Sequence, residues 1–430
     1  MKNILLKNCN IIDGTKNSNI LENYDILIKD EKIIKIEKNI IDNNCQILNL
    51  NGSYVIPGLI NLHSHLPSSG KLSKSKVANK QNLIKNLEKT KLGKYIILRV
   101  CLKNAQNALY SGTTTIRTVG GISYFDGKLR DLINSNKYEG PRIITSDYAI
   151  GPKNGHMDGT VAKAALTNDE AINIVKEHKE NNSDLIKIMV TGGILDTTQK
   201  GVIGLLKMNP DMVKVICEEA HKYNYKVAAH VEGKEGMEAA ILNGVDAIEH
   251  GAMVDDNLLD KFKDRNGIYV QTLSAAIPLK MIDPKLFGYD EVATFNSNYL
   301  FNQMIELSSS CLNKNIIVGL GTDSGCPMIT HYDMWRELFY FSKFVNGVDN
   351  NFAIYSATLN NAKILGIDKE TGSIEINKYA DLLIVKENPL NDLRALKNPQ
   401  YVFFKGKLIN KKPKKMKKVD KLLDEVMMKF

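Results

Sequence analysis

The sequence predicts an α/β protein: a (β/α)8 TIM barrel with a small β-sandwich domain formed by both chain ends. In the middle of the chain, short apolar stretches alternate with longer helical stretches, which is typical of βα units and a parallel sheet. Both ends contain only short Ile- and Leu-rich stretches separated by Asn, Asp and Gly, as antiparallel strands do. A length of 430 residues favours one large and one small domain.

The strands of the small domain are predicted at the two ends of the chain. The start contains NILLKNCNIID, YDILIKDEKIIKIEKNI and CQILNLNGSYVIPG, and the end contains TGSIEINKYADLLIV and YVFFKGKLI. A sheet of two or three strands is rarely stable alone. The two ends are therefore predicted to share one antiparallel domain, made of residues 1–57 and 370–412.

The barrel is predicted at residues 58–369. Its eight strands are predicted at residues 59–63, 113–119, 142–149, 184–190, 226–230, 247–250, 269–273 and 316–323. Helical stretches between them are predicted at residues 81–110, 169–180, 211–223, 234–242 and 296–312. Eight strands over about 300 residues fit a barrel whose usual size is about 250 residues. The remaining segment, residues 413–430, is predicted to be a basic C-terminal tail.

Composition indicates a soluble enzyme and a cytoplasmic location. Hydrophobic residues make up 43% of the chain and charged residues 24%, as in ordinary globular proteins. No apolar run approaches the ~18 residues that cross a bilayer, and the N-terminal stretch is interpreted as a strand rather than a signal peptide. The six cysteines have no short-range pairing and are interpreted as reduced thiols. We therefore expect no membrane partner.

The formal net charge of +9 raises the question of nucleic-acid binding. Lysine is abundant along the whole chain, and the one dense cluster is KKPKKMKKVDKLL at residues 411–423. Nucleic-acid binding requires basic residues gathered on one face of a recognised module, and the sequence contains no such module. The cluster is interpreted as a solvated tail, and the expected partner is a small-molecule substrate; a homo-oligomer is compatible with the sequence.

Metal-ligand residue types follow the predicted barrel strands. His63 and His65, in VIPGLINLHSHL, are two residues apart, so both imidazoles face the same side of a strand. His230 ends KVAAH, His250 ends AIEH and Asp323 ends IIVGLGTDSG. The active site of such a barrel lies at the C-terminal ends of its strands. These residues are therefore predicted to converge on a metal site, although Asp323 alone is also explained as a helix cap.

Lys187 is the unusual residue of the fourth predicted strand, DLIKIMVTGG. An uncompensated charge inside an apolar strand is unfavourable. One interpretation is an outward-facing lysine that extends its amine to solvent between helices. The other is an amine that has reacted with carbon dioxide, giving a carbamate whose two oxygens bridge two metals.

The order of these residues resembles the amidohydrolase superfamily: His-x-His, a strand lysine, two strand-end histidines and a final aspartate. VIPGLINLHSHL, IEHG, GTDSG and YADLLIV match the framing motifs, and IKIMVTGG is most similar to metal-dependent dipeptidases of the Xaa-Pro dipeptidase and imidazolonepropionase-like groups. The resemblance covers residues 1–410. It implies that His63, His65 and Asp323 hold a first metal, that His230 and His250 hold a second, and that carboxylated Lys187 bridges the two ions.

One departure concerns the loop after the fifth strand. The peptidases in question often carry a second histidine soon after the strand ligand, whereas this chain has Val231 and Glu232. Substrate contacts made from that loop therefore differ. His156, in the Gly-rich loop GPKNGHMDG, is the predicted substrate-binding residue, with a functionless loop histidine as the alternative. His178 and His221 fall in helical stretches and are predicted to lie at the surface.

The resemblance implies hydrolysis of an amide or peptide bond in dipeptides or N-acyl amino acids. A metal-bridging hydroxide attacks the carbonyl carbon, and Asp323 is the general acid–base. Zinc fits the nitrogen and oxygen ligands, with manganese or iron as alternatives. A mononuclear cyclic-amide hydrolase or deaminase is the first alternative function. A non-catalytic relative is the second, although none of the ligand types has been lost.

Overall fold

The computed structural model describes residues 3–72, 77–286 and 288–430. Its strands are β1 (Asn3–Ile11), β2 (Leu21–Lys29), β3 (Lys32–Glu37), β4 (Cys45–Asn49), β5 (Tyr54–Pro57), β6 (Leu59–Ser64), β7 (Thr113–Thr118), β8 (Arg142–Thr145), β9 (Ala149–Pro152), β10 (Ala162–Ala165), β11 (Ile186–Met189), β12 (Val227–Val231), β13 (Ala247–His250), β14 (Ile268–Gln271), β15 (Ile317–Leu320), β16 (Leu382–Val385), β17 (Tyr401–Phe404) and β18 (Lys407–Leu408).

Its α-helices are α1 (Val77–Glu88), α2 (Lys91–Tyr110), α3 (Phe125–Asn134), α4 (Asn168–Glu180), α5 (Pro210–Lys222), α6 (Lys234–Leu242), α7 (Asp256–Asp264), α8 (Leu273–Met281), α9 (Glu291–Asn313), α10 (Met334–Phe344), α11 (Asn350–Tyr355), α12 (Asn361–Ile364) and α13 (Lys417–Met427). The chain divides into two compact units. The first comprises Met1–Asn61, Gln106–Ile116 and Tyr332–Lys414, and the second comprises Leu62–Ala105, Arg117–His331 and Lys415–Phe430.

The first unit is organised by a mixed sheet of both chain ends, in the order β18-β17-β16-β5-β1-β2-β3 with β4 also paired to β1. A wholly antiparallel module was predicted, and this was wrong for two pairs, because β4 and β5 both run parallel to β1. The nine-residue β1 is long enough to pair with β4 at its start and with β5 at its end. Apolar side chains from both ends of the chain form the core, including Leu6, Ile26, Val55, Leu382 and Phe403.

All eight strands predicted for the barrel are present, as β6, β7, β8 and β11 to β15. Seven strands form a parallel sheet in the order β10-β9-β11-β12-β13-β14-β15, and β6, β7 and β8 form a three-stranded sheet. Backbone hydrogen bonds join residues beyond the edges of the two sheets: Asp323 N–H donates to His63 O (3.0 Å) and Asp184 N–H donates to Thr145 O (2.7 Å). The parallel pairing brings the C-terminal ends of β11 to β15 to the same edge.

Local signals explain two differences from the predicted elements. The helix predicted at residues 81–110 is two helices, because Thr90 begins a new one: its Oγ1 accepts from Gly93 N–H (2.9 Å), as an N-cap does. The third strand predicted for the barrel ends at Thr145 rather than at residue 149, since Asp147 has a left-handed backbone (φ 54°) that interrupts an extended strand. The chain then resumes as the short strands β9 and β10.

The basic segment near the C-terminus contains the helix α13. Its lysines are exposed, whereas Val419, Leu423, Val426 and Met427 are buried. These apolar residues recur three or four positions apart, which places them on one face of a helix. None of the described helices is long and apolar enough to cross a membrane.

Candidate metal centre

The six predicted ligand residues all lie in the second unit and stand at or just beyond strand ends. His63 is in β6, Lys187 in β11, His230 in β12 and His250 in β13. The imidazole rings form one cluster: the His63 ring centroid lies 5.2 Å from that of His65 and 4.8 Å from that of His250. The centroids of His230 and His250 are 4.9 Å apart. The structure therefore brings the four histidines together.

His63, His65 and Asp323 form the first group of donor atoms. Their ligating atoms lie within 4.8 Å of one another. Asp323 Oδ1 is 3.1 Å from His65 Nε2 and 3.5 Å from His63 Nε2. Two imidazole nitrogens and a carboxylate oxygen thus point at one position.

His230, Glu232 and His250 form a second group within the same 4.8 Å limit, and all three are buried. Glu232 follows β12 and is two residues beyond His230, so the alternation of an extended chain turns both side chains to the same side. Neither His230 Nε2 nor Glu232 Oε2 has a hydrogen-bond partner among the described residues, although both atoms are buried. Buried polar atoms without partners are rare, and here both belong to residues of the same donor group.

The other nitrogen of three histidines is engaged away from the centre. His63 Nδ1 donates to Glu249 Oε2 (2.7 Å), and His65 Nδ1 donates to Gly120 O (2.8 Å). His250 Nδ1 lies 2.7 Å from Thr272 Oγ1. A proton held on Nδ1 leaves the lone pair of Nε2 free to face inward. This orientation by an outer partner is the usual arrangement of metal-binding histidines.

Left-handed backbone conformations turn two of these side chains into the site. Glu249 and His250 are consecutive, so a regular strand would point them to opposite faces. His250 instead has φ 67°, and its ring contacts His63 on the same side as Glu249. Asp323, three residues beyond β15, has φ 61°. Such conformations are unfavourable for residues other than glycine and cluster at functional sites.

Glu249 and Arg117 form a buried support beneath His63. Arg117 Nη2 donates to Glu249 Oε1 (2.6 Å) and Arg117 Nε donates to Leu62 O (2.6 Å). Glu249 is fully buried and Arg117 is 4% exposed. The carboxylate of Glu249 is thus shared between a guanidinium and the imidazole of His63, which fixes the orientation of that ring.

Lys187 faces inward, which excludes the alternative of an amine that reaches solvent. Its side chain is buried, and Nζ has no hydrogen-bond partner among the described residues. Burial lowers the pKa of Lys187 to about 8, with the charge of Glu249 opposing this effect and that of Arg117 adding to it. With such a pKa about one tenth of the amine is neutral and nucleophilic at pH 7, far more than for a lysine with the usual pKa.

The remaining groups also have the charge states that metal ligands need. Burial lowers the pKa of His230 and of His63 well below the usual range, and lowers that of His250 to about 4. Burial opposes ionisation of Asp323, but the adjacent imidazoles of His65, His63 and His250 lower its pKa. Neutral imidazoles beside an ionised carboxylate are the forms that bind a divalent cation.

His156, the predicted substrate-binding residue, lies against the second donor group. Its ring is stacked on that of His230, with centroids 4.2 Å apart and an interplanar angle of 5°. Asp196 Oδ2 accepts from His156 Nδ1 (2.5 Å), and the same carboxylate oxygen accepts from Gly193 N–H (2.8 Å). His156 is therefore held by the loop that follows β11.

The prediction of a surface position is wrong for His178. This side chain is fully buried, with Nδ1 2.9 Å from Ile174 O and Nε2 3.0 Å from Tyr148 O. Each ring nitrogen therefore lies within hydrogen-bond distance of a backbone carbonyl oxygen. His178 is on the inward face of α4 and packs against Tyr148, with ring centroids 4.4 Å apart. His221, by contrast, is exposed as predicted.

Four residues of this site were not predicted: Arg117, Asp196, Glu232 and Glu249. The sequence signal for Glu249 and Glu232 is an acidic residue beside a strand-end histidine, in AIEH and HVEG. That signal marks them as part of a buried site, because an acidic side chain inside an apolar strand needs a partner. Arg117, in TTTIRTV, gives the same signal on β7. Asp196 lies in a loop without any such pattern.

The donor set fits divalent metal ions. Two groups of three nitrogen and oxygen donors face the same region, the outward nitrogens of three histidines are engaged, and two buried donor atoms have no other described partner. Imidazole and carboxylate are the ligands of zinc and similar first-row ions in hydrolases.

Comparisons with known proteins agree with this chemistry. The sequence profile of the amidohydrolase family matches residues 54–409. A solved structure from Bifidobacterium longum, provisionally assigned as a prolidase, is 32% identical, covers 99% of both chains and has a TM-score of 0.86. A solved Xaa-Pro dipeptidase with methionine bound in its active site is 30% identical, covering 95% of this chain and 99% of that one with a TM-score of 0.80.

Among characterised proteins, ochratoxinase of Aspergillus niger is 24% identical over 320 residues, which are 69% of this chain and 64% of the ochratoxinase. The aligned region therefore spans less than two thirds of that relative. The family profile, in contrast, covers most of the 430 residues, and two solved structures share 30% or more identity over nearly the full length. The chain therefore belongs to the amidohydrolase family.

Proposed function

We propose that this protein hydrolyses the amide bond of small substrates, namely dipeptides or N-acyl amino acids, with a pair of divalent metal ions. One observation carries the proposal: His63, His65 and Asp323 form one group of donors, and the rings of His250 and His230 adjoin that of His63 in turn. The buried, unpartnered amine of Lys187 lies close enough to Asp323 to interact with its charge. We also propose that β6 to β8 and β11 to β15 close into a (β/α)8 barrel and that both chain ends form a β-sandwich. The proposed location is the cytoplasm.

The metal ions, zinc by ligand type, are proposed to be held by these residues. His63, His65 and Asp323 hold the first ion and His230 and His250 hold the second. When bound, the ions supply Lewis-acid chemistry, which lowers the pKa of water and polarises a carbonyl group. The protein side chains orient the substrate and move protons.

Lys187 is proposed to bridge the two groups as a carbamate. The neutral amine attacks the carbon of carbon dioxide, a bond forms between Nζ and carbon, the π electrons of one C=O bond move to oxygen, and one proton leaves Nζ to solvent. The neutral amine is thereby replaced by an anion with two oxygens. The burial of Lys187 and the absence of another described partner for Nζ support this step, because an uncompensated ammonium in that position is unfavourable.

Asp323 is proposed to carry the proton from the attacking water to the departing nitrogen. Its Oδ1 lies 3.1 Å from His65 Nε2, and its carboxylate is ionised and ready to accept a proton. A group that takes a proton before the bond breaks and returns it to the leaving group serves as base and then as acid. His156 is proposed to hold the substrate carbonyl or carboxylate, since Asp196 fixes its ring beside His230.

The test replaces Lys187 with Ala and measures bound metal by elemental analysis and hydrolysis of a dipeptide and N-acyl amino acid library. We expect the wild-type protein to bind about two metal ions per chain and the variant to lose metal and activity, because a bridging ligand is removed. Lys234→Ala, an exposed lysine of α6, is the matched control. A Lys187→Ala variant with two ions and an unchanged rate would contradict the proposal.

A mononuclear enzyme is the second candidate function, acting on a cyclic amide or deaminating a heterocycle. The observation that favours it is the completeness of the first donor group, in which His63, His65 and Asp323 already converge. Metal content separates the two candidates: about one ion per chain with activity on cyclic amides supports the mononuclear enzyme, and about two ions with peptidase activity supports the first proposal.

A further inference from the structure

Glu232 is a buried acid that stands beside the two proposed ligands of the second ion, His230 and His250, and has no assigned role in holding that ion. Its side chain is 6% exposed. The backbone N–H of Ile194 donates to its carboxylate, and its own N–H donates to Thr191 Oγ1 (3.1 Å). Oε2 is left without a hydrogen-bond partner among the described residues. One oxygen of Glu232 is therefore fixed by the protein, and the other is available to a ligand.

The loop that anchors Glu232 is also the loop that holds His156. A methyl group at Gly193 would lie 2.8 Å from His156 Cε1 and 3.6 Å from Glu232 Oε2. The histidine ring and the carboxylate thus border the same small space beside Gly193. Because His156 is the residue proposed to contact substrate, Glu232 belongs with the substrate-facing loop as much as with the strand ligands.

The charges around Glu232 favour a cationic ligand. Two further acidic side chains, Asp196 and Asp323, lie close enough to interact with it. If Lys187 becomes a carbamate, as proposed above, one more negative group is added beside them. A buried carboxylate among other acids is stabilised by an incoming positive charge, and an ionised donor makes the stronger hydrogen bond.

The distance from the reacting bond identifies which cation fits. The ligand oxygen of Glu232 lies within 4.8 Å of ligand nitrogens of His230 and His250, so a group bound to it is next to the scissile carbonyl. In a dipeptide, the α-ammonium nitrogen is two bonds from the scissile carbonyl carbon. An N-acyl amino acid has no cation there. The side-chain ammonium of a lysine residue is several bonds farther away.

We propose that Glu232 binds the free α-ammonium group of the substrate, so that the enzyme selects dipeptides over N-acyl amino acids. This inference rests on the proposed hydrolysis of small amides and narrows its substrate class. A site built to hydrogen-bond a substrate N–H discriminates strongly against an analogue that lacks the group, because the buried acceptor is then unpaired.

The test compares two substrates that differ only at this nitrogen. Alanyl-proline and propionyl-proline have the same carbon skeleton, and the second lacks the ammonium group; alanyl-leucine and propionyl-leucine form a second pair. For the metal-loaded wild-type protein we expect kcat/KM to be at least about 100-fold higher for the alanyl member of whichever pair is cleaved. This measurement needs no variant.

Glu232→Gln then assigns the preference to this carboxylate. We expect kcat/KM for the alanyl substrate to fall by about 30- to 100-fold, while that for the propionyl substrate stays within about 3-fold. Metal content is expected to stay at the wild-type value. Glu235→Gln removes the same charge from an exposed position three residues away and is expected to change neither substrate.

The outcomes distinguish failure of the proposed amide hydrolysis from failure of the role assigned to Glu232. If the wild-type protein cleaves neither member of any pair, the proposed function fails and the inference fails with it. If it cleaves alanyl and propionyl substrates equally, only the inference is overturned. A Glu232→Gln variant that loses metal, or that slows both substrates to the same extent, assigns Glu232 to metal binding or to the chemistry itself and also overturns the inference.

Discussion

The support beneath His63 gives the most direct test of how this site is built. Replacing Glu249 with Gln keeps the shape of the side chain but removes its charge and one acceptor. Two buried donors, His63 Nδ1 and Arg117 Nη2, now point at the carboxylate at 2.7 and 2.6 Å. The amide oxygen of glutamine accepts from one of them, so the amide NH2 group faces the other, and a donor is left unpaired in the core.

The expected loss of unfolding free energy follows from breaking the buried ion pair of Arg117 and Glu249. Removing one partner of a buried ion pair typically costs about 3–5 kcal/mol. At about 2.1 cal/mol/K per residue, the unfolding entropy of a 430-residue chain is about 0.9 kcal/mol/K. The melting temperature should therefore fall by about 3–6 °C. Because His63 loses its orienting partner, zinc affinity should also fall, by about 10- to 100-fold.

The assay combines thermal unfolding followed by circular dichroism with zinc affinity measured against a chromophoric chelator. Glu238→Gln, an exposed glutamate of α6, is the control and should leave both quantities unchanged. The double variant Arg117→Met with Glu249→Gln should lose less stability than the sum of the two single variants. In the double variant both charges of the pair are removed, so no charged group is left buried without its partner. A melting temperature within about 1 °C of wild type and an unchanged zinc affinity in Glu249→Gln would refute the supporting role.

Three further predictions concern residues around the centre. Gly193→Ala places a methyl group 2.8 Å from His156 Cε1 and should raise KM by about 10-fold with unchanged metal content, because a displaced substrate contact weakens positioning; an unchanged KM would count against His156. Burial opposes ionisation of Asp246, but the hydrogen bond from His221 and its other partners lower the pKa of Asp246, so its contribution to stability is present above about pH 4 and is lost as pH falls through the lowered pKa. The melting-temperature gap between metal-free wild type and Asp246→Asn should therefore narrow on acidification, and a constant gap would contradict the assignment. His178→Ala removes the imidazole that contacts the backbone carbonyl oxygens of Ile174 and Tyr148 and opens a cavity. The expected loss of unfolding free energy is about 2–4 kcal/mol, measured by denaturant unfolding.

Most strands of the site were predictable because they are short and largely apolar and carry a polar residue at or near their end. Parallel strands buried on both faces have that pattern, and all eight occur where the sequence indicates them. The short strands β9 and β10 were not predicted, since their sequences, AIGP and AKAA, have no strong strand preference. The parallel pairing of β4 with β1 also escaped prediction, because alternation reports which residues face a core and not which strand lies beside them.

For the site itself, sequence reasoning identified residues by type and missed the contacts between them. His63, His230 and Asp323 are recognisable because their types and strand-end positions are diagnostic. Arg117 supports His63 through Glu249, a relation among three strands that no spacing encodes. His178 was assigned to the surface because its segment is helical, although an amphipathic helix has a buried face and the three-residue spacing of Val175 and His178 indicates that face.

Metal binding and substrate selection depend on different parts of the backbone in this protein. The histidines lie at strand ends, where paired neighbours and the Glu249 carboxylate hold them. Glu232 and His156 depend instead on the loop after β11, through Ile194 N–H and Asp196. Loops vary more freely than the strands that carry them. Changes at Gly193 or Asp196 should therefore alter the ratio of alanyl to propionyl hydrolysis without removing metal, whereas changes at Glu249 should remove metal and reduce both rates by the same factor.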